Sequence, residues 1–306
     1  MGMRISTNTI YGQATSKMLD LQANQAKLQQ QISSGKRIIT PSDDPIASNK
    51  VIAATQAQSL NTQYTTNRQI AQTQLSTSET VLSSITDLIL STQSTIASAG
   101  NSSLSNSDRA SLATELGVNL DQLISLANSK DSVGNYLFSG YETQTAPFEK
   151  TTTGADYKGD TNHQSVQVST SRNMTINETG DTIFQANGTD IFKTLTDLVN
   201  LLKVPVASNA DTATLSAGLG TAGTAMKSTL DAVLTSRSSV GSKMKEIDSL
   251  NEYSASSDIV YQQNLSDLQD LDYTKAITEL SKQQTILEAA QKSFVKTTSL
   301  SLFSII

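Results

Sequence analysis

The chain has 306 residues, of which 37% are hydrophobic, 16% are charged and only 5% are aromatic, with no cysteine, no tryptophan and one histidine. This composition excludes a large aromatic core, a disulfide scaffold, a thiolate metal site and a cysteine nucleophile. The net charge of −6, without a long basic run, argues against a nucleic-acid-binding surface. No apolar run is long enough to cross a bilayer, so membrane insertion is not expected, and the first ten residues lack the pattern of a secretory signal peptide.

The N-terminal segment carries apolar side chains at alternating steps of three and four residues, which predicts an amphipathic helix with a heptad seam. The seam is narrow and partly polar, so this helix needs a partner in order to stay folded. Its positions are Tyr11, Ala14, Met18, Leu21, Gln25, Leu28 and Ile32.

A long helix is predicted over residues 46–99, which contain neither glycine nor proline. Asp44 followed by Pro45 supplies an N-cap and a first-turn residue. A further helix is predicted to begin after Ser105 and Asp108, which fit a capping box. The long helix has an interior seam of Leu75, Ser78, Leu82, Ile85, Ile89, Thr92 and Ile96, and the further helix one of Leu112, Leu116, Leu120, Leu123 and Ala127.

The helical period disappears between Gly140 and Gly188, where short alternating runs predict an inserted antiparallel β module. The runs are Val166 with Val168 and Met174 with Ile176, and the predicted turns are Gly159-Asp160, Gly180-Asp181 and Asn187-Gly188. Helical spacing resumes with Ile191, Leu195, Leu198 and Leu202. Pro205 then ends this helix, and a Ser/Ala/Thr/Gly-rich link is predicted to about residue 223.

The C-terminal segment repeats the N-terminal pattern in a second stretch, residues 242–306, without glycine or proline. Its seam is Tyr273, Ile277, Leu280, Gln284, Leu287, Gln291 and Phe294, and apolar residues follow at Leu300, Leu302, Phe303, Ile305 and Ile306. Such ends pair either with each other in one chain or with other copies of the chain.

The predicted fold is mainly α with a small β insertion: long helices from both chain halves build a coiled-coil or bundle core around an inserted antiparallel β domain. The predicted domains are a terminal helical assembly domain (1–40 and 266–306), disordered in the monomer, a long-helix bundle (41–140 and 188–265), and the β domain (141–187).

Three features could carry chemistry, and each has a simpler interpretation. Residues 218–223 match G-x-G-x-x-G, but no buried strand precedes them, so a helix-to-helix link is favoured over a nucleotide site. His163 has no second histidine or cysteine to complete a metal site and is predicted to be exposed. The carboxylates of Asp43-Asp44 and of Asp267, Asp270 and Asp272 are predicted to cap helices or to face solvent. We expect neither an enzyme nor a cofactor.

Several segments together resemble the flagellar hook-associated protein 3 family, the hook–filament junction proteins of the flagellin-like group. The resemblance rests on Met3–Thr7, Gln31–Ile38, Pro41–Pro45, Ala127–Asp131, Gly134–Gly140, Tyr157–Asp160, Ser238–Gly241, Leu265–Leu268, Asp272-Tyr273 and Ser299–Phe303. Met1-Gly2 precede the usual start at Met3, and the ending Ser304-Ile305-Ile306 departs from the common acidic-aromatic end.

The resemblance implies a structural adaptor of the bacterial flagellum. It is exported through the type III apparatus to the extracellular hook–filament junction, where it forms a homo-oligomeric ring. The implied partners are the preceding hook-associated protein, flagellin and a cytoplasmic export chaperone. The predicted assembly seam is Tyr11, Met18, Leu21, Leu28, Ile32, Tyr273, Ile277, Leu280, Leu287, Phe294, Leu302 and Phe303.

Flagellin itself, the filament subunit, is the alternative, because both terminal seams are similar. Its counterpart of the Ser-Gly-Lys-Arg segment usually lacks the two flanking prolines found here at Pro41 and Pro45.

Overall fold

The structure is a computed structural model that describes residues 7–299. Within this range the chain forms seven α-helices and four short strands, so the mainly helical fold class is confirmed. The helices are α1 (Thr7–Ser34), α2 (Pro45–Ala99), α3 (Asn106–Ala127), α4 (Gly180–Phe184), α5 (Ile191–Lys203), α6 (Asn209–Gln269) and α7 (Tyr273–Ser299). The strands are β1 (Phe148–Thr151), β2 (Gly154–Tyr157), β3 (Ser165–Ser169) and β4 (Arg172–Thr175).

The chain divides into two compact units. The terminal unit comprises residues 1–60 and 256–306, and the central unit comprises residues 61–255. Helices α2 and α6 each contribute residues to both units.

The central unit contains the main hydrophobic core of the described chain. Seam positions of α2 and α3, from Leu75 to Ile96 and from Leu116 to Ala127, are buried against each other and against α5 and α6, as the spacing predicts. An aromatic cluster completes this core. It consists of Phe138, Phe148, Tyr157, Phe184 and Phe192, whose neighbouring ring centroids lie 4.8–6.1 Å apart.

The predicted β module is present as two separate antiparallel hairpins. In the first, Phe148 pairs with Tyr157. In the second, Val166 pairs with Met174, and the register shifts between Gln167 and Ser169. Val168 and Met174 are buried, so the hairpin buries one face in the core.

A buried arginine, Arg68 of α2, fixes the second hairpin. Only 2% of its surface is exposed, and its guanidinium donates to the Asn251 side chain at 2.6 Å, to the Val168 carbonyl at 2.9 Å and to the Thr65 hydroxyl at 2.9 Å. None of these three acceptors is a carboxylate, and burial lowers the pKa of this group. The charge is therefore stabilised by hydrogen bonds that join α2, α6 and β3.

Two further predictions about the termini of helices are confirmed. The side chains of Ser105 and Asp108 form the reciprocal bonds of a capping box at the start of α3. The Asp44 carboxylate accepts a bond from the Ala47 amide at 3.0 Å, which caps α2.

The predicted link up to residue 223 is wrong, because α6 begins at Asn209. Asp211 and Ser208 cap this start reciprocally, with Asp211 accepting from the Ser208 amide at 2.8 Å. Each glycine in a helix costs about 1 kcal/mol relative to alanine, and burial of Leu215 and Ala222 offsets this cost. Gly218 also lets α5 approach closely, since a Cβ atom there would collide with Leu201.

Two other expectations need correction. The turn predicted at Gly180-Asp181 is instead the start of α4. Glycine is needed at this start because the Phe148 ring packs against it: a Cβ atom at position 180 would lie 2.6 Å from Cε2 of Phe148. The uninterrupted stretch 242–306 contains a helix break at 270–272 without glycine or proline. Its cause is a tertiary contact described below.

Candidate assembly site

The predicted seam of the terminal unit lies where α1 packs against α7. Five α1 residues of the prediction are half-buried along one face of the helix, and Tyr11 meets Phe294 edge-to-face with ring centroids 5.8 Å apart. The five residues are Tyr11, Met18, Leu21, Leu28 and Ile32.

The α7 half of the seam divides into two groups. Leu280, Leu287 and Phe294 are half-buried, whereas Tyr273 is 49% exposed and Ile277 is 53% exposed. The two exposed residues lie to one side of the face that is buried in this chain. Leu302 and Phe303, which complete the predicted seam, lie outside the described residues.

Sequence reasoning missed three small or polar positions of the α7 face. Ala276 is 5% exposed, and Gln283 and Ala290 are half-buried. Together with Leu280, Leu287 and Phe294 they form a continuous heptad that alternates large side chains with small or polar ones. The predicted seam started from Tyr273 and Ile277 and therefore placed Gln284 and Gln291, which are exposed, where Gln283 and Ala290 lie.

The connector between α1 and α2 pairs with the break between α6 and α7. The Arg37 amide donates to the Gln269 carbonyl at 2.7 Å, and the Leu271 amide donates to the Gly35 carbonyl at 3.0 Å. Lys36 and Asp270 thereby form an isolated antiparallel bridge. This pairing ends α6 without a glycine or proline, because it offers the backbone of residues 269–271 partners outside the helix.

Gly35 is required at this point for two reasons. Its φ of +71° belongs to the left-handed region, which other residues adopt at a cost. A Cβ atom at this position would also lie 3.0 Å from the Tyr273 hydroxyl oxygen. Gly35 of the Ser-Gly-Lys-Arg segment therefore ends α1 and leaves space for the side chain of Tyr273, the first residue of α7.

Arg37 and Asp44 tie this connector to α6 and α2. The Arg37 guanidinium donates to the Leu268 carbonyl at 2.7 Å, which satisfies one of the carbonyls left open at the C-terminus of α6. A second nitrogen lies 3.4 Å from the Asp44 carboxylate. The bond from the Ala47 amide and this arginine hold the pKa of Asp44 below its usual value.

Asp43 holds the connector to α1. Its carboxylate lies 2.6 Å from the Lys27 ammonium and accepts bonds from the Ile39 and Thr40 amides at 3.0 and 2.9 Å. The bond from Lys27 and then the two amides hold the pKa of Asp43 well below its usual value. Asp44 is therefore a helix cap, as the sequence predicts, whereas Asp43 clamps the connector to α1 instead of capping a helix or facing solvent.

The other candidates for chemistry are accounted for by the fold. Residues 218–223 lie inside α6, so their glycines form no phosphate-binding loop. His163 is exposed, as predicted. Asp272 caps α7 by accepting from the Lys275 amide at 3.0 Å. Over residues 7–299 there is no group of three metal-ligating side chains, and no helix there has the length and hydrophobicity of a membrane span.

Comparison with known proteins identifies relatives that match almost the whole chain. Residues 5–143 match the bacterial flagellin N-terminal helical region, and residues 211–305 match the bacterial flagellin C-terminal helical region. The flagellar hook-associated protein 3 of Escherichia coli K12 is 39% identical, and that of Salmonella typhimurium LT2 is 37% identical, each over 99% of both chains.

Solved structures agree with this placement. A putative flagellar hook-associated protein from Vibrio parahaemolyticus superimposes with a TM-score of 0.68 at 25% identity, covering 74% of this chain and 100% of the other. The flagellar junction protein from Legionella pneumophila superimposes with a TM-score of 0.63 at 19% identity, covering 72% and 100%, and supports the fold. The chain belongs to the flagellar hook-associated protein 3 family.

Proposed function

We propose that this chain is the structural adaptor that joins the hook to the flagellin filament. The observation that carries the proposal is the full-length similarity to two hook-associated proteins 3, at 39% and 37% identity. In this role the chain forms a homo-oligomeric ring between the preceding hook-associated protein and the first flagellin subunits. It works by packing and hydrogen bonding, with no bond made or broken in a substrate.

The geometry of the terminal unit supports assembly through its helices. The side chains between α1 and α7 are only half-buried, and Tyr273 and Ile277 remain exposed beside them. A helix pair with so little buried surface gains stability when neighbouring copies cover the remaining apolar residues. We infer that the ends are disordered in the free monomer and fold as the ring forms.

The proposal extends to export. The chain leaves the cell through the flagellum-specific type III apparatus, which passes unfolded segments. A cytoplasmic chaperone covers the apolar C-terminal segment until then. Hydrogen exchange on the purified monomer tests the disorder of the ends. Rapid exchange in 4–37 and 273–306 is expected, and strong protection there would contradict this part of the proposal.

Deletion of the chain in its own bacterium tests the adaptor role. Hooks should form normally, flagellin should be released into the medium, and no filament should grow. Electron microscopy of the cells and an immunoblot of the medium measure the two effects. Normal filaments on the deleted strain would overturn the proposal.

The seam itself is tested by Leu287→Asp, which places a charge on the half-buried face of α7. This variant should fold its central unit, since Leu287 lies in the terminal unit, and should fail to join the ring. Normal junctions with this variant would refute the role of the seam. Glu288→Asp, at an exposed neighbouring position, is the control and should assemble normally.

Flagellin is the second candidate, because the matched family models are those of the flagellin helical regions. A filament subunit should form long polymers from purified protein when it is seeded onto hooks. The adaptor should stop after a short addition at the hook end. Electron microscopy of seeded hooks separates the two outcomes.

A further inference from the structure

The break between α6 and α7 contains no helix-breaking residue. Residues 242–306 have neither glycine nor proline, and the break itself consists of Asp270, Leu271 and Asp272, each of which a helix tolerates. One local signal favours a helix start here, because the Asp272 carboxylate accepts from the Lys275 amide at 3.0 Å. Such a cap favours a start without excluding a helix that runs through it, since aspartate carries only a small penalty inside a helix.

The connector engages the backbone groups that would close a helix across this break. In an α-helix each amide donates to the carbonyl four residues earlier. Three of the bonds that would cross the break are Leu271 to Asp267, Asp272 to Leu268 and Tyr273 to Gln269. Instead, the Leu271 amide donates to the Gly35 carbonyl at 3.0 Å, and its single proton is then no longer available to the helix. Arg37 donates to the Leu268 and Gln269 carbonyls, both at 2.7 Å.

Without the connector, a continuous helix is the favoured conformation of this segment. A separate α7 has to form its own first turn, and starting a helix is about a thousandfold less favourable than adding one residue to an existing helix. Helix α6 already reaches Gln269, so each residue added beyond it gains a backbone bond without a new start.

We propose that the connector is a latch on a helix joint. While residues 35–37 are paired with the break, α6 and α7 are two helices. When the connector is released, residues 270–272 become helical and α6 continues directly into α7. Because Gly35 ends α1 and also accepts the bond that holds the break, the end of α1 and the bend between α6 and α7 form together. This inference goes beyond the proposed function, since it concerns the conformation of a single chain, and it can fail while the adaptor role stands.

The continuous helix is not expected to resist hydrogen exchange. Without α1, the face of α7 that is half-buried in the structure has no partner, so the extension frays toward its C-terminus and its amides exchange rapidly. The rapid exchange expected for 273–306 in the free monomer is therefore unchanged. A measurement of the average backbone conformation is needed to detect the extension.

The Cα chemical shifts of the full-length monomer, measured by NMR, test the latch. The released variant combines Gly35→Val, which is strained at a φ of +71°, with Arg37→Ala, which removes the bond to Leu268. Its Cα carbons at 270–272 should move downfield by about half the displacement found within α6, since each residue added to a helix is close to evenly balanced between helix and coil. The unaltered monomer should match this variant if α1 is disordered, and should show coil shifts at 270–272 if α1 is folded.

Two further variants establish what the shifts report. Lys36→Ala leaves the connector bonds in place, because they use residues 35 and 37, and should reproduce the shifts of the unaltered chain. Tyr273→Pro, added to the released variant, should return 270–272 to coil shifts, because proline suits the first residue of a helix but not its interior.

Two results would overturn the latch. Coil shifts at 270–272 in the released variant, with helical shifts up to Gln269, would show that the local sequence alone makes the break. Loss of helical shifts before residue 268 in that variant would show that the connector holds the end of α6 together instead of bending the helix.

Discussion

The two units of this chain are built from similar helices but bury very different amounts of hydrophobic surface. In the described part of the terminal unit, the hydrophobic side chains below 9% exposure are those of Ala47 and Ala276. Among the described residues, every large apolar side chain buried to that degree lies in the central unit, including four phenylalanines. Since buried apolar area is the main source of folding free energy, the central unit is the part equipped to be stable alone.

This difference shows that the few hydrophobic residues of the chain are unevenly distributed: they form a core in the central unit and only narrow apolar faces in the terminal unit. The aromatic cluster lies where the strands and the short helices α4 and α5 meet. The terminal helices have only narrow apolar faces, which suit contacts between copies. In the ring proposed above, neighbouring copies would supply the hydrophobic contacts that the terminal unit lacks. The following predictions compare the two units and run from the largest expected effect to the smallest.

Removal of matched phenylalanines compares the two units directly. Phe148→Ala should lower the free energy of unfolding by about 3–5 kcal/mol, because a fully buried ring leaves a cavity. Phe294→Ala should cost about 1 kcal/mol or less, because Phe294 is only half-buried. Urea unfolding followed by circular dichroism measures both variants. Equal losses would contradict the distinction between the units.

Two arginines within the central unit compare a buried charge with an exposed one. Arg68→Leu should cost about 2–3 kcal/mol, since it leaves the Asn251 side chain and the Val168 carbonyl without a donor. Arg172→Leu should cost less than about 1 kcal/mol, although Arg172 bonds to both carboxylate oxygens of Glu246, because it is half-exposed. The same urea titration measures both, and a reversed order would show that Arg68 is dispensable.

Two glycines should respond to alanine in opposite directions. Gly140 has a φ of +73°, and a Cβ atom there would lie 2.6 Å from the Asp160 carbonyl oxygen, so Gly140→Ala should cost about 1–3 kcal/mol. Gly220 lies in α6 with open space around it, so Gly220→Ala should gain about 0.5–1 kcal/mol. Thermal unfolding of the two variants should therefore move the midpoint down and up, respectively. A loss in Gly220→Ala would show that α6 needs flexibility at this point.

The smallest effect concerns the pH response of the terminal unit. The pKa of Asp43 is lowered in the folded chain, so its contribution to stability is present above the usual carboxyl pKa and is lost as the pH falls toward the lowered value. Lys27→Met removes the largest cause and should raise the pKa of Asp43 toward 3.8 in assembled junctions, where α1 is folded. Solid-state carboxyl-carbon NMR of assembled junctions measures this titration.

The control for that prediction is Lys17→Met, since Lys17 is an exposed partner of Asp20 at 3.8 Å and does not contact Asp43. It should leave the Asp43 titration unchanged. An Asp43 midpoint near 3.8 in assembled junctions of the unaltered chain would contradict the clamp.

Local rules predicted most of the fold. The heptad spacing located α1, α2, α3 and α5, and the capping box at Ser105 and the Asp44-Pro45 pair fixed the starts of α3 and α2. Helix caps and heptad spacing depend only on residues close together in the chain, so both can be recognised from the sequence alone.

Long-range contacts caused the errors. The helix break at residues 270–272 depends on backbone pairing with residues 35–37, which no local pattern announces. The glycine-rich start of α6 becomes helical because it packs on α5, where Gly218 meets Leu201. The Ala276 and Ala290 positions of the seam were missed because the predicted register followed the large side chains of Tyr273 and Ile277, which are exposed.

The bond from Arg37 to the Leu268 carbonyl spans 231 positions of the chain. The ribosome makes about 5–20 residues each second, so α1 waits on the order of ten seconds to a minute before the segment that pairs with its connector exists. During translation the beginning of the chain therefore has no partner within the same molecule. The order of synthesis alone therefore leaves α1 without its intramolecular partner until nearly the whole chain has been made.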